Sequence, residues 1–335
     1  MAGRAARGGR PGPAVPRERD RLRRPEARVS AQRIVSLLPS ATEIVATLGL
    51  AGRLVGRSHQ CDYPPEVAAL PALSSTKVRL DGDSRDIHLS VEEILTRAVS
   101  VYDVDAARLR ALRPDVILTQ TQCAICAVTP ADLEDALRDW TGARPALVSL
   151  EPDDLSEVWG DMLRVGEAVG ASDRARAAVE DLQARLEAIR ARAATAGRRP
   201  RVAAIEWIEP LMAGGNWMPE LVGIAGGESL FAQPGVHSPW LAWETLVGAD
   251  PEVIVILPCG FHLPQGLKDL ALLRVRPEWR RLSAVRRGEV YVVDGQHFFN
   301  RPGPRLVESA EILAEILHPG LFDFGHAGRD WLRAA

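Results

Sequence analysis

Residues 33–67, RIVSLLPSATEIVATLGLAGRLVGRSHQCDYPPEV, decide the fold. Arg33–Leu38 is a short apolar run with the character of a buried strand, and Pro39 stops it. Ser40-Ala41-Thr42-Glu43 has the Ser-x-x-Glu spacing of a capping box, in which two side chains satisfy orphan N–H groups at a helix start. Ile44, Val45 and Leu48 supply one apolar helical face, and Gly49 is a stop. A second strand is predicted at Arg53–Gly56, and it runs into a polar loop from Arg57 to Pro65. Strand, helix, strand in so few residues is the unit of a parallel α/β sheet.

Working outward, Ser90-Val91-Glu92-Glu93 predicts another capped helix, with residues 74–89 as an irregular excursion before it. Leu109–Leu112, Pro114 and Asp115–Leu118 read as a helix end followed by a buried strand. Thr129-Pro130 predicts the N-cap and first position of a helix running to about Trp140, and Ala146–Leu150 is a further strand. Residues 153–193 read as helical throughout: Asp153 is the expected cap, and Gly170 with Ser172 marks a break and re-cap. Val179, Leu182, Leu186 and Ile189 form a stripe at helical spacing. The second half repeats the first, with strands at Arg201–Trp207, Glu252–Leu257 and Glu289–Val293 and helices at Pro219–Ala225 and Pro304–Leu317. LRALRPDVILTQTQC (109–123) and LVGADPEVIVILPCG (246–260) are the same helix–Pro–strand element, each with a Cys shortly after the strand.

The expected fold is therefore α/β, with two similar lobes built on mostly parallel sheets, a long bridging helix and a ligand cleft between the lobes. Its divisions are an Arg-rich tail without structure (1–30), an N-terminal lobe (31–152), a connector (153–195), a C-terminal lobe (196–320) and a C-terminal tail (321–335).

Charge sharpens this. The formal net charge of -3 combines a tail holding nine Arg against three acidic residues with a remainder of about -9. An acidic folded part excludes a broad nucleic-acid surface. No apolar run reaches the ~18–20 residues of a membrane span. No basic start followed by an apolar stretch marks a signal peptide, which gives a cytoplasmic expectation for the chain as printed. A mis-assigned start would instead allow a periplasmic or cell-surface location. A monomer is expected.

Ligands of open α/β sheets bind beyond the carboxyl ends of the strands, so the residues there are the candidates. The first lobe offers Pro39 and Ser40, then His59, Gln60, Cys61 and Tyr63, then Gln122, Cys123 and Cys126. The second offers Trp207, Trp217, Trp240, Cys259, Phe261, His297 and Phe298. The chain has only 17 aromatic residues, and their concentration in second-lobe loops suits a large flat ligand. Cys123-x-x-Cys126 has three readings: small residues at a tight turn, a redox pair, or half of a thiolate metal site completed by Cys61, Cys259 or His59. Glu206 and Glu209 could form a carboxylate pair, but no nucleophile accompanies them. Walker, GxGxxG, HExxH and GxSxG motifs are absent, so no enzyme is expected.

The stretch 33–67 resembles the start of the class III solute-binding proteins, which serve ABC importers of cobalamin, haem and iron–siderophores. AGGNWMPELVGIAGGESLF (213–231), PWLAWETL (239–246), DPEVIVI (250–256) and FFNRPGPRLVESAEIL (298–313) continue the likeness in order, over about residues 33–318. It is nearest to cobalamin-binding members. The resemblance implies two α/β lobes, a bridging helix, a clamped small-molecule ligand such as a corrinoid, no resident cofactor, and an ABC permease as partner. Permease docking in the family uses an acidic residue on each lobe. Glu244 matches the second, whereas the first falls near Ala107. Residues 74–104 and the cysteine loops depart from the family pattern, and Gln60 stands where a cobalamin binder favours an aromatic contact. The alternative is a cysteine-based metal or thiol protein using the same cleft, with Zn as the ion.

Overall fold

The computed structural model describes residues 32–334 except 98–99, 121–127, 129–132, 134–136 and 138–139. The 1–30 tail, Gln122, Cys123, Cys126 and the Thr129-Pro130 helix start lie outside the described residues.

The first lobe is a four-stranded parallel sheet in the order β2-β1-β5-β6. These strands are β1 (Ile34–Ser36), β2 (Leu54–Arg57), β5 (Val116–Gln120) and β6 (Ala146–Leu150). The second sheet runs β12-β11-β10-β7-β8, with β9 beside β7. Here β7 is Arg201–Trp207, β8 Met212–Ala213, β9 Glu228–Ser229, β10 Val253–Ile256, β11 Val290–Val293 and β12 Trp331–Arg333. β7, β10 and β11 are parallel, and β12 is antiparallel to β11. β5, β10 and β11 are buried along their whole length, and apolar but for Thr119 and Gln120 at the end of β5, as strands covered on both faces must be. Residues 321–335, expected to be a tail, thus supply the edge strand of the second sheet.

Helices Leu155–Ala168 and Ser172–Ala193 join the lobes. The stripe Val179, Leu182, Leu186 and Ile189 is buried, in one apolar cluster with Ile34 and Leu118 of the first lobe and Val202 and Leu313 of the second. The lobes therefore share a core through the connector, which permits a small hinge and opposes a wide opening.

Three local expectations are corrected. Ser40 and Glu43 form no capping box. The helix spans Pro39–Thr47, Leu38 is its N-cap, and no side chain caps it. Pro39 at the first position carries no N–H to satisfy, and Glu43 is buried and paired elsewhere. The connector cap is Asp154, whose carboxylate accepts from Glu157 N, while Asp153 accepts from Asn216 Nδ2. Ser172 is the first helical residue after Ala171 and makes no cap. The third correction is the larger. Residues 74–89 are not an irregular excursion but open a small module that closes at Val104. Strands β3 (Ser74–Thr76) and β4 (Tyr102–Val104) pair antiparallel around a helix, Ser84–Thr96, that starts six residues before Ser90. Its capping box is Asp83 with Asp86, a carboxylate version of the signal sought at Ser90.

The repeated helix–Pro–strand element is real in three dimensions. Helices Ala106–Leu112 and Trp243–Ala249 each end on a left-handed residue, Arg113 (φ 45°) and Asp250 (φ 43°), directly before Pro. Asp250 is held there by Ser283, whose N and Oγ both donate to its carboxylate. Arg113 has an exposed side chain and carries the backbone strain of the left-handed region. Arg113→Gly is expected to stabilise the protein by about 0.5–1 kcal/mol, the strain relieved less the extra freedom of Gly when unfolded. Thermal unfolding checks this, and a lower midpoint would refute it.

Candidate functional site

The loops that follow the parallel strands of the two lobes meet face to face. Arg301, 3% exposed, reaches from the second lobe into the first, where its Nη1 lies 3.0 Å from Glu43 Oε1 and 2.7 Å from Asp62 Oδ1. Nη2 adds a bond to Asp62 Oδ2 at 3.0 Å. Glu43 is 1% exposed, and burial raises its pKa to about 7 against the pull of Arg301 and Arg305. Burial would raise Asp62 too, but hydrogen bonds from His297 and Arg301 outweigh it and hold its carboxyl well below the usual range. Arg305 lies between two rings, 4.2 Å from the Tyr63 centroid and 4.3 Å from that of Phe298. It reaches these aromatic faces by cation–π contact.

The module at 74–104 ties the lobes at a second place. Ser84 N donates to Asp269 Oδ1 at 2.9 Å, and Ser84 Oγ accepts from Glu209 N at 3.1 Å. His88 meets Trp240 edge-on at 5.7 Å. Glu209 also pairs with Arg276 at 2.6 Å, while Glu206 Oε2 accepts from Ser238 Oγ. The two glutamates therefore serve separate partners and form no carboxylate pair. Burial raises Glu206 to about 7.

Behind Asp62 stand two imidazoles of the second lobe. His297 Nε2 is 3.5 Å from Asp62 Oδ2, and His297 Nδ1 is 3.2 Å from Asp294 Oδ2. His262 Nδ1 lies 3.1 Å from the same Asp294 oxygen. Hydrogen bonds to Asp294 and Asp62 raise His297 to about 9. Asp62, His262 and His297 each offer a ligand atom within 4.8 Å of the others, the one metal-competent cluster among the described residues.

The expected site residues divide accordingly. His297, Phe298 and Tyr63 converge around Asp62 and Arg305. Trp207, the last residue of β7, and Phe261, in the loop after β10, form a tilted pair with ring centroids 5.3 Å apart. Trp240 is 61% exposed on the rim. Pro39 is half-buried, and Ser40 is buried beneath Gly303. His59 Nδ1 is 3.0 Å from Ser74 Oγ, and its Nε2 has no hydrogen-bond partner among the described residues. The Gln60 carbonyl faces Arg301. Trp217 belongs to the core, with its indole N–H given to Phe299 O.

Cys61 is a core thiol. Thr42 Oγ1 lies 3.0 Å and Ser58 Oγ 3.2 Å from its sulfur, and burial raises its pKa despite both bonds. Burial pushes Cys259 up to about 12. Glu244 is exposed in the first turn of its helix, and Ala107 is exposed at the matching place in the first lobe. Sequence reasoning missed Glu43, His262, Asp294, Arg301 and Arg305. Asp62 lies in the polar loop from Arg57 to Pro65 and was not singled out, and Arg301 lies in the quoted FFNRPGPR stretch with nothing local to show that it is buried.

Two parallel-sheet lobes on a shared connector, closing strand-end loops over one another, define a two-lobed solute-binding protein. The chain belongs to the periplasmic binding protein family, whose profile matches residues 34–297. It is 26% identical to the "Uncharacterized ABC transporter substrate-binding lipoprotein YvrC" of Bacillus subtilis over 299 residues, 87% of this chain and 81% of that protein. It is 25% identical to a "Vitamin B12-binding protein" of Vibrio cholerae over 291 residues, 86% and 89% of the two chains. The crystal structure of the periplasmic vitamin B12 binding protein BtuF of Vibrio cholerae superposes with a TM-score of 0.60 at 22% identity, covering 86% of this chain and 96% of that one. A periplasmic heme binding protein from Pseudomonas aeruginosa gives 0.65 at 23%, covering 87% and 94%. These likenesses bear out the fold and the family. The relatives' names place them outside the cytoplasm or on a lipid anchor, so the cytoplasmic expectation finds no support and its alternative does. No helix among the described residues is long and apolar enough to cross a membrane.

Proposed function

We propose that the protein binds cobalamin or a related corrinoid between its lobes and delivers it to an ABC permease outside the cytoplasm. The observation that carries this reading is the convergence of strand-end loops from both lobes, with the half-buried Trp207 at the end of β7 in the second lobe and His59 after β2 in the first. A broad apolar face with a few polar groups is what a large planar chelate requires. The vitamin B12-binding relatives agree with it. Glu244 supplies one acidic docking position, and Ala107 leaves the first lobe without the matching charge. Binding proteins of this family are not enzymes, and no catalytic residue is assigned here. The thiol reading has less support: Cys61 is buried and Cys259 half-buried, and desolvation raises both thiols away from the reactive or metal-binding thiolate form.

The test is titration of the protein with cyanocobalamin, followed by absorbance and calorimetry. Saturable one-to-one binding at micromolar concentration is expected. Trp207→Ala should weaken it roughly tenfold or more, since it removes about 1.5–3 kcal/mol of aromatic contact. Absence of binding to any corrinoid, alongside saturable binding of haemin, would transfer the reading to haem.

A further inference from the structure

We propose that Asp62, His262 and His297 bind one divalent transition-metal ion of the Zn(II) class, as a free ion, across the boundary between the lobes. This goes beyond the large-ligand reading, because the ion is held by protein donors and needs no macrocycle.

The argument begins with donor chemistry. Two imidazoles and a carboxylate suit a borderline ion such as Zn(II), Co(II) or Ni(II), and a water completes four-coordination. Geometry follows. The three ligand atoms already lie within 4.8 Å of one another. The donors of a tetrahedral zinc stand roughly 3.3 Å apart at zinc–nitrogen distances near 2.0–2.1 Å, so side-chain adjustments of about 1 Å would close the site. The two rings are neighbours, with centroids 4.6 Å apart.

The supporting shell is in place. Asp294 Oδ2 takes the Nδ1 side of both rings, at 3.1 and 3.2 Å, while Oδ1 accepts from His297 N at 2.8 Å. One carboxylate thus orients both imidazoles and the turn that carries one of them. With both Nδ1 atoms on Asp294, the Nε2 atoms are the nitrogens that would turn to the ion, and a carboxylate on the other ring nitrogen commonly supports metal-bound histidines. Arg301 anchors Asp62 through two hydrogen bonds. His262 and His297 are partly exposed, so an ion can enter from solvent. On coordination the proton on His297 Nε2 passes to water. Because Asp62 belongs to the first lobe and both histidines to the second, the bound ion would also latch the closed arrangement.

The experiment titrates the full chain with ZnCl2 by calorimetry and with CoCl2 by visible absorbance. One equivalent should bind, with ligand-field bands of nitrogen–oxygen coordination and no sulfur-to-cobalt charge-transfer band. His262→Ala, on an exposed side chain outside the core, should weaken binding at least about 100-fold, and Asp294→Asn about 10–100-fold. A Cys123→Ser/Cys126→Ser variant should bind as the parent does. Zinc should raise the unfolding temperature of the parent and not of His262→Ala. The proposal is overturned by no binding at millimolar ion, by equal affinity in parent and His262→Ala, or by a thiolate charge-transfer band that disappears in the double Cys variant. Binding of haemin through these imidazoles without binding of free Zn(II) also overturns it. None of these outcomes depends on whether a corrinoid binds.

Discussion

Arg301→Met should destabilise the protein by roughly 3–5 kcal/mol at pH 8, the cost of leaving a buried partner charge uncompensated. Arg301 is the only guanidinium within hydrogen-bonding distance of Glu43 among the described residues; Arg305 stands 4.0 Å away. Met fills much of the same volume, so the loss is electrostatic more than steric. The effect should depend on pH in a definite direction. Glu43 has a folded pKa of about 7 against an ordinary value of 4.5. A carboxyl raised in this way favours the fold while protonated, and that contribution fades as pH rises through 7. Without Arg301 its pKa rises further, so near pH 5.5 Glu43 takes a proton and part of the penalty disappears. Asp62 behaves oppositely: its pKa is depressed, and its contribution is complete above the ordinary carboxylate range and lost only as pH falls below it. Urea unfolding at pH 5.5 and pH 8 measures the Glu43 dependence, and a further curve below about pH 4 measures that of Asp62. Adding Glu43→Gln should recover part of the loss, since removing both members of a buried pair costs less than removing one. A loss under about 1 kcal/mol at both pH values would show that the pair does not hold the lobes.

Gly295→Ala is expected to cost about 3 kcal/mol and to damage the site as well. A Cβ at Gly295 would collide with Pro258 O and stand 2.9 Å from Leu257 C. Both are backbone atoms at the end of β10, so the methyl cannot be accommodated by a side-chain rotation. Overpacking of this kind usually costs ~1–3 kcal/mol, and more where backbone must yield. The turn that would shift is Gly295–Phe299, tied to β10 by Asn300 Nδ2 on Leu257 O. It carries His297 and Phe298. The variant should therefore unfold earlier and bind both zinc and corrinoid more weakly. An unchanged melting temperature would refute the close-approach argument.

The strand–helix alternation, the boundaries of β6 and β7, the connector stripe and the repeated helix–Pro–strand element were all legible without coordinates. Each rests on short-range rules: a continuous apolar run, an apolar period of 3.6, or Pro as punctuation. The same rules misled at Ser40-x-x-Glu43. A capping spacing and a buried ion pair look identical over four residues, and only the partner tells them apart. They also placed the start of the helix Ser84–Thr96 at Ser90, six residues late, because its true start is marked by two aspartates in a polar stretch that reads as a loop. Of the expected site, His297, Phe298 and Tyr63 converge, whereas Trp217 went to the core and Cys61 into a buried hydrogen-bond set.

By itself the sequence determined two α/β lobes, a helical connector and a cleft at the strand ends, because backbone pairing and apolar burial are written in local periodicity. Only the tertiary structure decided what meets in that cleft. Glu43 and Arg301 stand 258 residues apart. Asp62 reaches His262 and His297 only when the two sheets share one core. A charged side chain carries no mark of its partner along the chain. Its role is set by which opposite charge the fold brings near enough to repay the loss of water.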